Sequence, residues 1–143
     1  MTSQETTIYR EIQRNTKMAM KAIDAISGKV RNNGLAHQIA RQSAKYAELY
    51  NRATKELTLA NEKSYYTSAI SELMLRMAIN CNTMMNRSTS HIAELMIKGS
   101  NMGILEMEKI VRHNKEAGKE SIELAKQLIE FENNNVKRLK EYL

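Results

Sequence analysis

Residues 121–143 read SIELAKQLIEFENNNVKRLKEYL. Ile122, Ala125, Leu128/Ile129, Val136, Leu139 and Leu143 recur at steps of three and four, which is the period of one helical face. At the middle of that apolar stripe stands a carboxylate, Glu132. An acid at an inward position must be paired, hydrogen-bonded or protonated to be tolerated. The residues expected to face it therefore decide how the chain is read.

Three further stripes carry a polar residue at the same relative depth. Residues 90–108, SHIAELMIKGSNMGILEME, place Ile92, Leu95/Met96, Gly99/Ser100, Gly103 and Met107 on one face, continuing to Ile110/Val111. Near the N-terminus, Ile8, Ile12, Asn15, Ala19, Ile23 and Ile26 form a face that ends at Gly28. After a turn at residues 32–34, Leu35, Ile39, Gln42/Ser43, Tyr46, Leu49/Tyr50, Ala53 and Leu57 form another. The pattern predicts a polar core layer of Glu132, Asn15, Gln42, Ser43, Tyr46 and Ser100. Such a layer either binds an ion or ligand or fixes helix register at some cost in stability, and the second is the plainer reading.

The chain of 143 residues has no proline, no tryptophan and five glycines, a composition that favours helix over sheet. Short turns at residues 32–34 and 114–118 make consecutive helices antiparallel neighbours. The predicted fold is an all-α antiparallel four-helix bundle forming a single domain over residues 1–143. A first hairpin spans 4–59, a crossover containing an additional helix spans 61–87, and a second hairpin spans 89–143. Ser88, Thr89 and Ser90 read as the start of the latter.

The formal charge is +6, and residues 1–60 hold ten Lys/Arg against five acids. Arg10, Arg14, Lys17 and Lys21 lie along one helical line, and Arg41, Lys45, Arg52 and Lys55 make a looser second one. With no aromatic or glycine-rich recognition motif beside them, these lines read as solvated faces, and nucleic acid is not expected as a partner. No apolar run is long enough to span a bilayer, and the first residues lack a signal-peptide core. A single Cys81 fits a reduced thiol. The expected location is the cytoplasm, with no membrane partner.

With its hairpin, crossover, hairpin plan and the stretches 90–108 and 124–143, the chain resembles the ferritin-like superfamily, in particular small bacterial four-helix-bundle domains of unknown function that lack the di-metal ligands. In metal-binding relatives the core carries Glu from two helices and Glu-x-x-His from the other two. No His follows a Glu by three residues in this chain. The nearest remnant is Glu132-Asn133-Asn134-Asn135, where Asn135 stands at the His position. Glu48-x-x-Asn51 has the same spacing, but Glu48 is turned away from the core. The resemblance implies the fold and not the oxidase or ferroxidase chemistry, so no metal and no cofactor is expected.

The remaining candidates carry little chemistry. Met74, Met77, Met84, Met85, Met96, Met102 and Met107 are expected as adaptable core filler rather than a copper site. His37, His91 and His113 are scattered, and no catalytic or phosphate-binding motif appears, so an enzyme is not expected. Gly99 and Gly103, four residues apart, suggest close helix–helix contact with the crossover or with a second subunit. The expected function is a non-catalytic interaction or scaffold protein that self-associates as a homo-oligomer and meets an unidentified protein partner. The alternative is a metal-ion or small-ligand binding module centred on Glu132.

Overall fold

Three of the helices described start at side chains that satisfy their first free backbone donors. A computed structural model describes residues 1–65, 80–81 and 84–143. Within those residues lie four α-helices and no strand: α1 (Ser3–Ser27), α2 (Asn33–Leu59), α3 (Thr89–His113) and α4 (Lys119–Leu139), the last running into a 3-10 turn at Lys140–Tyr142. Thr2 Oγ1 accepts from the Glu5 N–H at 3.2 Å while Glu5 Oε2 accepts from the Thr2 N–H at 3.0 Å, a reciprocal cap that starts α1. Asn32 Oδ1 accepts from the Leu35 N–H at 2.9 Å and Ser88 Oγ from the His91 N–H at 3.2 Å, starting α2 and α3.

The other ends are equally local. α2 stops where Asn61 enters the left-handed region at φ 56°, and the Glu62 N–H turns back to the Leu57 carbonyl at 2.8 Å. Asn114 Nδ2 donates to the Ile110 carbonyl at 2.7 Å and finishes α3. The crossover helix expected over 61–87 lies mostly outside the described residues. Of the positions described in that span, Asn80 and Cys81 are helical, whereas 62–65 and 84–87 are not.

α1 packs most extensively on α2, and α3 on α4; α1 also meets α3 and α4, and α2 meets α4. The stripes meet in one core in which Ile8, Ile12, Leu35, Leu49, Leu57, Ile92, Met107, Leu128 and Leu139 are fully buried. Each such side chain contributes about 1.5–3 kcal/mol by leaving water. Leu143, the expected end of the last stripe, is exposed because the chain has left the helix by then.

Part of the basic line on α1 is not a solvated face, and that expectation is corrected. Arg10 Nε donates to the Lys63 carbonyl at 2.8 Å. The Arg14 guanidinium is largely covered and bridges Glu11 on its own helix, at 2.5 Å, and Glu106 on α3. Position alone could not separate these arginines from Lys17 and Lys21, because apart from Glu11 the groups that take them up, Lys63 and Glu106, are distant in sequence.

Gln13, which the apolar pattern does not single out, is almost completely buried. Its Nε2 donates to Thr54 Oγ1 at 2.8 Å and to Ser64 Oγ at 3.3 Å, and its Oε1 accepts from the Tyr65 N–H at 2.8 Å. One amide therefore ties α1 to α2 and to the chain leaving α2. Gln13→Ala is expected to cost about 1–3 kcal/mol, since it strands buried polar groups, and to accelerate hydrogen exchange at the Tyr65 amide. Unchanged stability and exchange, measured by urea unfolding and amide exchange, would contradict this role.

Candidate functional site in the bundle core

Glu132 on α4 is 2% exposed, and Asn135, one turn later, is 3% exposed. Three donors converge on a single carboxylate oxygen. Tyr46 of α2 donates its hydroxyl to Glu132 Oε1, Ser100 of α3 donates to the same atom at 3.3 Å, and Asn135 Nδ2 donates to it at 3.0 Å. Tyr46 is itself held by an edge-on contact with Phe131, ring centroids 5.1 Å apart. Every described hydrogen bond of the carboxylate falls on Oε1, which leaves Oε2 without a donor among the described residues.

α1 reaches the same level through Asn15, whose Nδ2 donates to the Gly103 carbonyl at 3.2 Å. That bond fixes the amide orientation and turns Oδ1 toward the face of α3 where Gly103 lacks a side chain. A methyl group placed on Gly103 would lie 2.8 Å from Asn15 Oδ1 and 3.0 Å from Glu132 Oε2. Gly103 thus makes room for two acceptor oxygens that approach one point. This corrects the expectation that it serves contact with the crossover or a second subunit: it faces the side chains of α1 and α4.

Beside this layer is a cavity of about 240 Å³. Asn15, Gln42, Tyr46, Ser100 and Glu132 line it at one level, with Gly99 and Gly103 behind them. Its walls are otherwise largely apolar, from residues such as Ala22, Ile23, Ile26, Leu95 and Met96. Gln42 is 1% exposed and its Nε2 has no hydrogen-bond partner among the described residues. A buried donor left unmade costs about 1–3 kcal/mol. Ser43 is not part of this group. It lies in a shallow groove with Ile23, Ile39 and Ala47, because its position on α2 is one residue too far around the helix.

Burial drives the Glu132 carboxyl above its ordinary value, and the hydrogen bonds from Tyr46, Asn135 and Ser100 only partly oppose that shift. The Tyr46 hydroxyl is pushed well up, first by burial and then by the adjacent carboxylate, so it stays a donor. The set does not fit a di-metal centre. It offers one carboxylate, with amides and hydroxyls where further carboxylates and imidazoles would be needed. Among the described residues no group of three or more His, Cys, Asp or Glu can hold a metal ion. Glu48 points outward and pairs with Lys45 and Arg52.

Sequence periodicity overlooked two features of the site. Asn135, noted only as standing where a His would be, is a buried donor to Glu132. Arg14 and Glu106 also line the cavity as an ion pair between α1 and α3. Asn135 had a usable signal, lying at i+3 from an inward acid.

Two predictions follow from this geometry. Because the Glu132 pKa is raised on folding, the folded state holds this proton more tightly than the unfolded state. Its contribution to stability must therefore fall as pH rises from the ordinary carboxylate range through the raised value. The stability of wild type relative to Glu132→Gln should decrease with rising pH in that window and then level off; a difference that grows with pH would contradict the assignment. Gly103→Leu should lose about 1–3 kcal/mol by forcing the layer apart, whereas Gly28→Ala, with nothing within 4 Å of the added methyl, should be close to neutral. Equal effects in urea unfolding would show that Gly103 holds no special place.

No family model and no curated protein matches the sequence. Among solved structures, the chain is similar to a conserved hypothetical protein of Mycobacterium tuberculosis, with a TM-score of 0.75 at 12% identity over 100% of this chain and 99% of that one. At that identity the likeness concerns the fold: an all-α helical bundle. Among the described residues no helix is long and apolar enough to cross a membrane.

Proposed function

We infer that the protein is a small-molecule binding module whose ligand sits in the core cavity beside Glu132. The observation that carries this reading is the buried Gln42 amide. Gln42 lines the same 240 Å³ space as Glu132, and among the described residues neither its Nε2 nor Glu132 Oε2 has a hydrogen-bond partner. A layer that served only to fix helix register would be expected to satisfy its members, since a half-satisfied network is worse than an apolar core. A pocket with apolar walls and a few convergent polar groups is the usual form of a small-ligand site.

The chain is, in the same reading, a ferritin-like bundle of two antiparallel hairpins joined by a crossover. Its short connections at 28–32 and 114–118 and its full-length likeness to another helical bundle support this. The ligand would occupy the core at the depth where metal-binding members carry their carboxylates. A self-associating scaffold is the weaker proposal, because Gly103, one of the two glycines it rested on, faces α1 and α4. The function is binding without catalysis, in keeping with a layer built from neutral donors around a single acid.

A thermal-shift screen of small amphipathic compounds tests this directly. A ligand at 100 times its Kd stabilises the folded state by about 2.7 kcal/mol. Ala22→Phe, which fills the cavity, should remain helical by circular dichroism and lose the response. If no compound shifts the wild type, or if the filled variant responds equally, the reading fails.

A further inference from the structure

The chemistry of the cavity points to one kind of head group. Asn15 Oδ1 and Glu132 Oε2 both lie about 3 Å from the point where Gly103 would carry a methyl, at 2.8 and 3.0 Å. One N–H of Asn15 Nδ2 donates to the Gly103 carbonyl, an orientation that leaves Oδ1 turned toward this point. Neither oxygen has a donor among the described residues. Glu132 receives three hydrogen bonds, all from neutral groups and all on Oε1, so no cation offsets its charge there. A hydroxyl supplies one donor to this pair of acceptors. A carboxylic acid adds a like charge. A primary ammonium supplies three donors and the missing positive charge.

Gln42 completes the set. Gln42 lines the cavity with its Nε2 unpartnered among the described residues, and its amide also carries an acceptor, Oε1. It can therefore offer a third acceptor from α2. Beyond these oxygens the walls are largely apolar, formed by residues such as Ile23, Ile26 and Leu95. The space exceeds the roughly 150 Å³ that accommodates benzene in an engineered apolar cavity. The exposed Lys21 also borders the cavity, and Glu106 is already engaged by Arg14, so a second ammonium at the far end of the ligand would meet repulsion without a free acid.

We propose that the cavity takes an amphipathic monoamine, its primary ammonium seated between Glu132 Oε2 and Asn15 Oδ1 and its hydrocarbon body lying against the apolar wall. This rests on the binding reading above and names the substrate class of that site.

Isothermal titration at neutral pH with hexylamine, 1-hexanol, hexanoate and 1,6-diaminohexane separates the two claims. Hexylamine should bind about tenfold or more tightly than 1-hexanol, because hydrogen bonds to a charged partner are roughly twice as strong as neutral ones. Hexanoate and the diamine should bind more weakly than hexylamine. From butylamine to hexylamine, affinity should rise about fourfold per methylene. In Glu132→Gln the preference for amine over alcohol should vanish. Independently of any variant, a nuclear Overhauser effect between the C1 protons of bound hexylamine and Gly103 Hα is required in the wild type. If 1-hexanol binds as well as hexylamine, or that proton contact is absent at saturation, the amine assignment is overturned and the cavity reading stands. If none of the probes binds, both fall.

Discussion

A single carboxylate oxygen, Glu132 Oε1, is the point on which the bundle turns. It accepts from Tyr46 on α2, Ser100 on α3 and Asn135 on α4, so three helices are held at one depth by one atom. The fourth, α1, is drawn to the same level by Asn15 against the Gly103 carbonyl. Burying a carboxylate is costly unless its lone pairs are met, and meeting them requires each helix to stand in one register. Slipping any one helix by a residue would turn its donor away and leave the acid unsupported. The apolar stripes supply most of the driving force, while the acid selects among the ways they could pack.

The same constraint opens the cavity. With three donors on Oε1, Oε2 packs against Gly103 of α3, whose missing side chain lets Asn15 Oδ1 of α1 approach the same point. Gln42, one turn before Tyr46 on α2, is carried to the edge of this space by the helical period, and its Nε2 finds no partner among the described residues. Arg14 and Glu106 join α1 to α3 beside the cavity with an ion pair. The space of about 240 Å³ beside the layer is partly open, running from the buried Glu132 and Gln42 to the exposed Lys21.

Much of this arrangement is legible in the residues themselves. The helical period puts Asn15, Gln42, Tyr46, Ser100 and Glu132 at mid-stripe, and the structure brings all five to one cavity. Thr2, Asn32 and Ser88 cap their helices as their chemistry dictates. Ser43 shows the limit of the method: adjacent positions on a helix are about 100° apart, and a stripe that admits either of two neighbours does not say which turns inward. Gln13 and Arg14 show another limit. Their partners, Thr54, Ser64 and Glu106, are distant in sequence, and a periodic pattern holds no information about them. The cavity itself is a property of volumes summed over four helices and has no local signature.

The most direct test is a high-resolution crystal structure of the purified protein. The account predicts Glu132 buried, with Tyr46, Ser100 and Asn135 on Oε1 and with ordered density that is not protein lying in the cavity within hydrogen-bonding distance of Oε2 and Asn15 Oδ1. A protein side chain filling that space, or Glu132 turned out of the core, would contradict it.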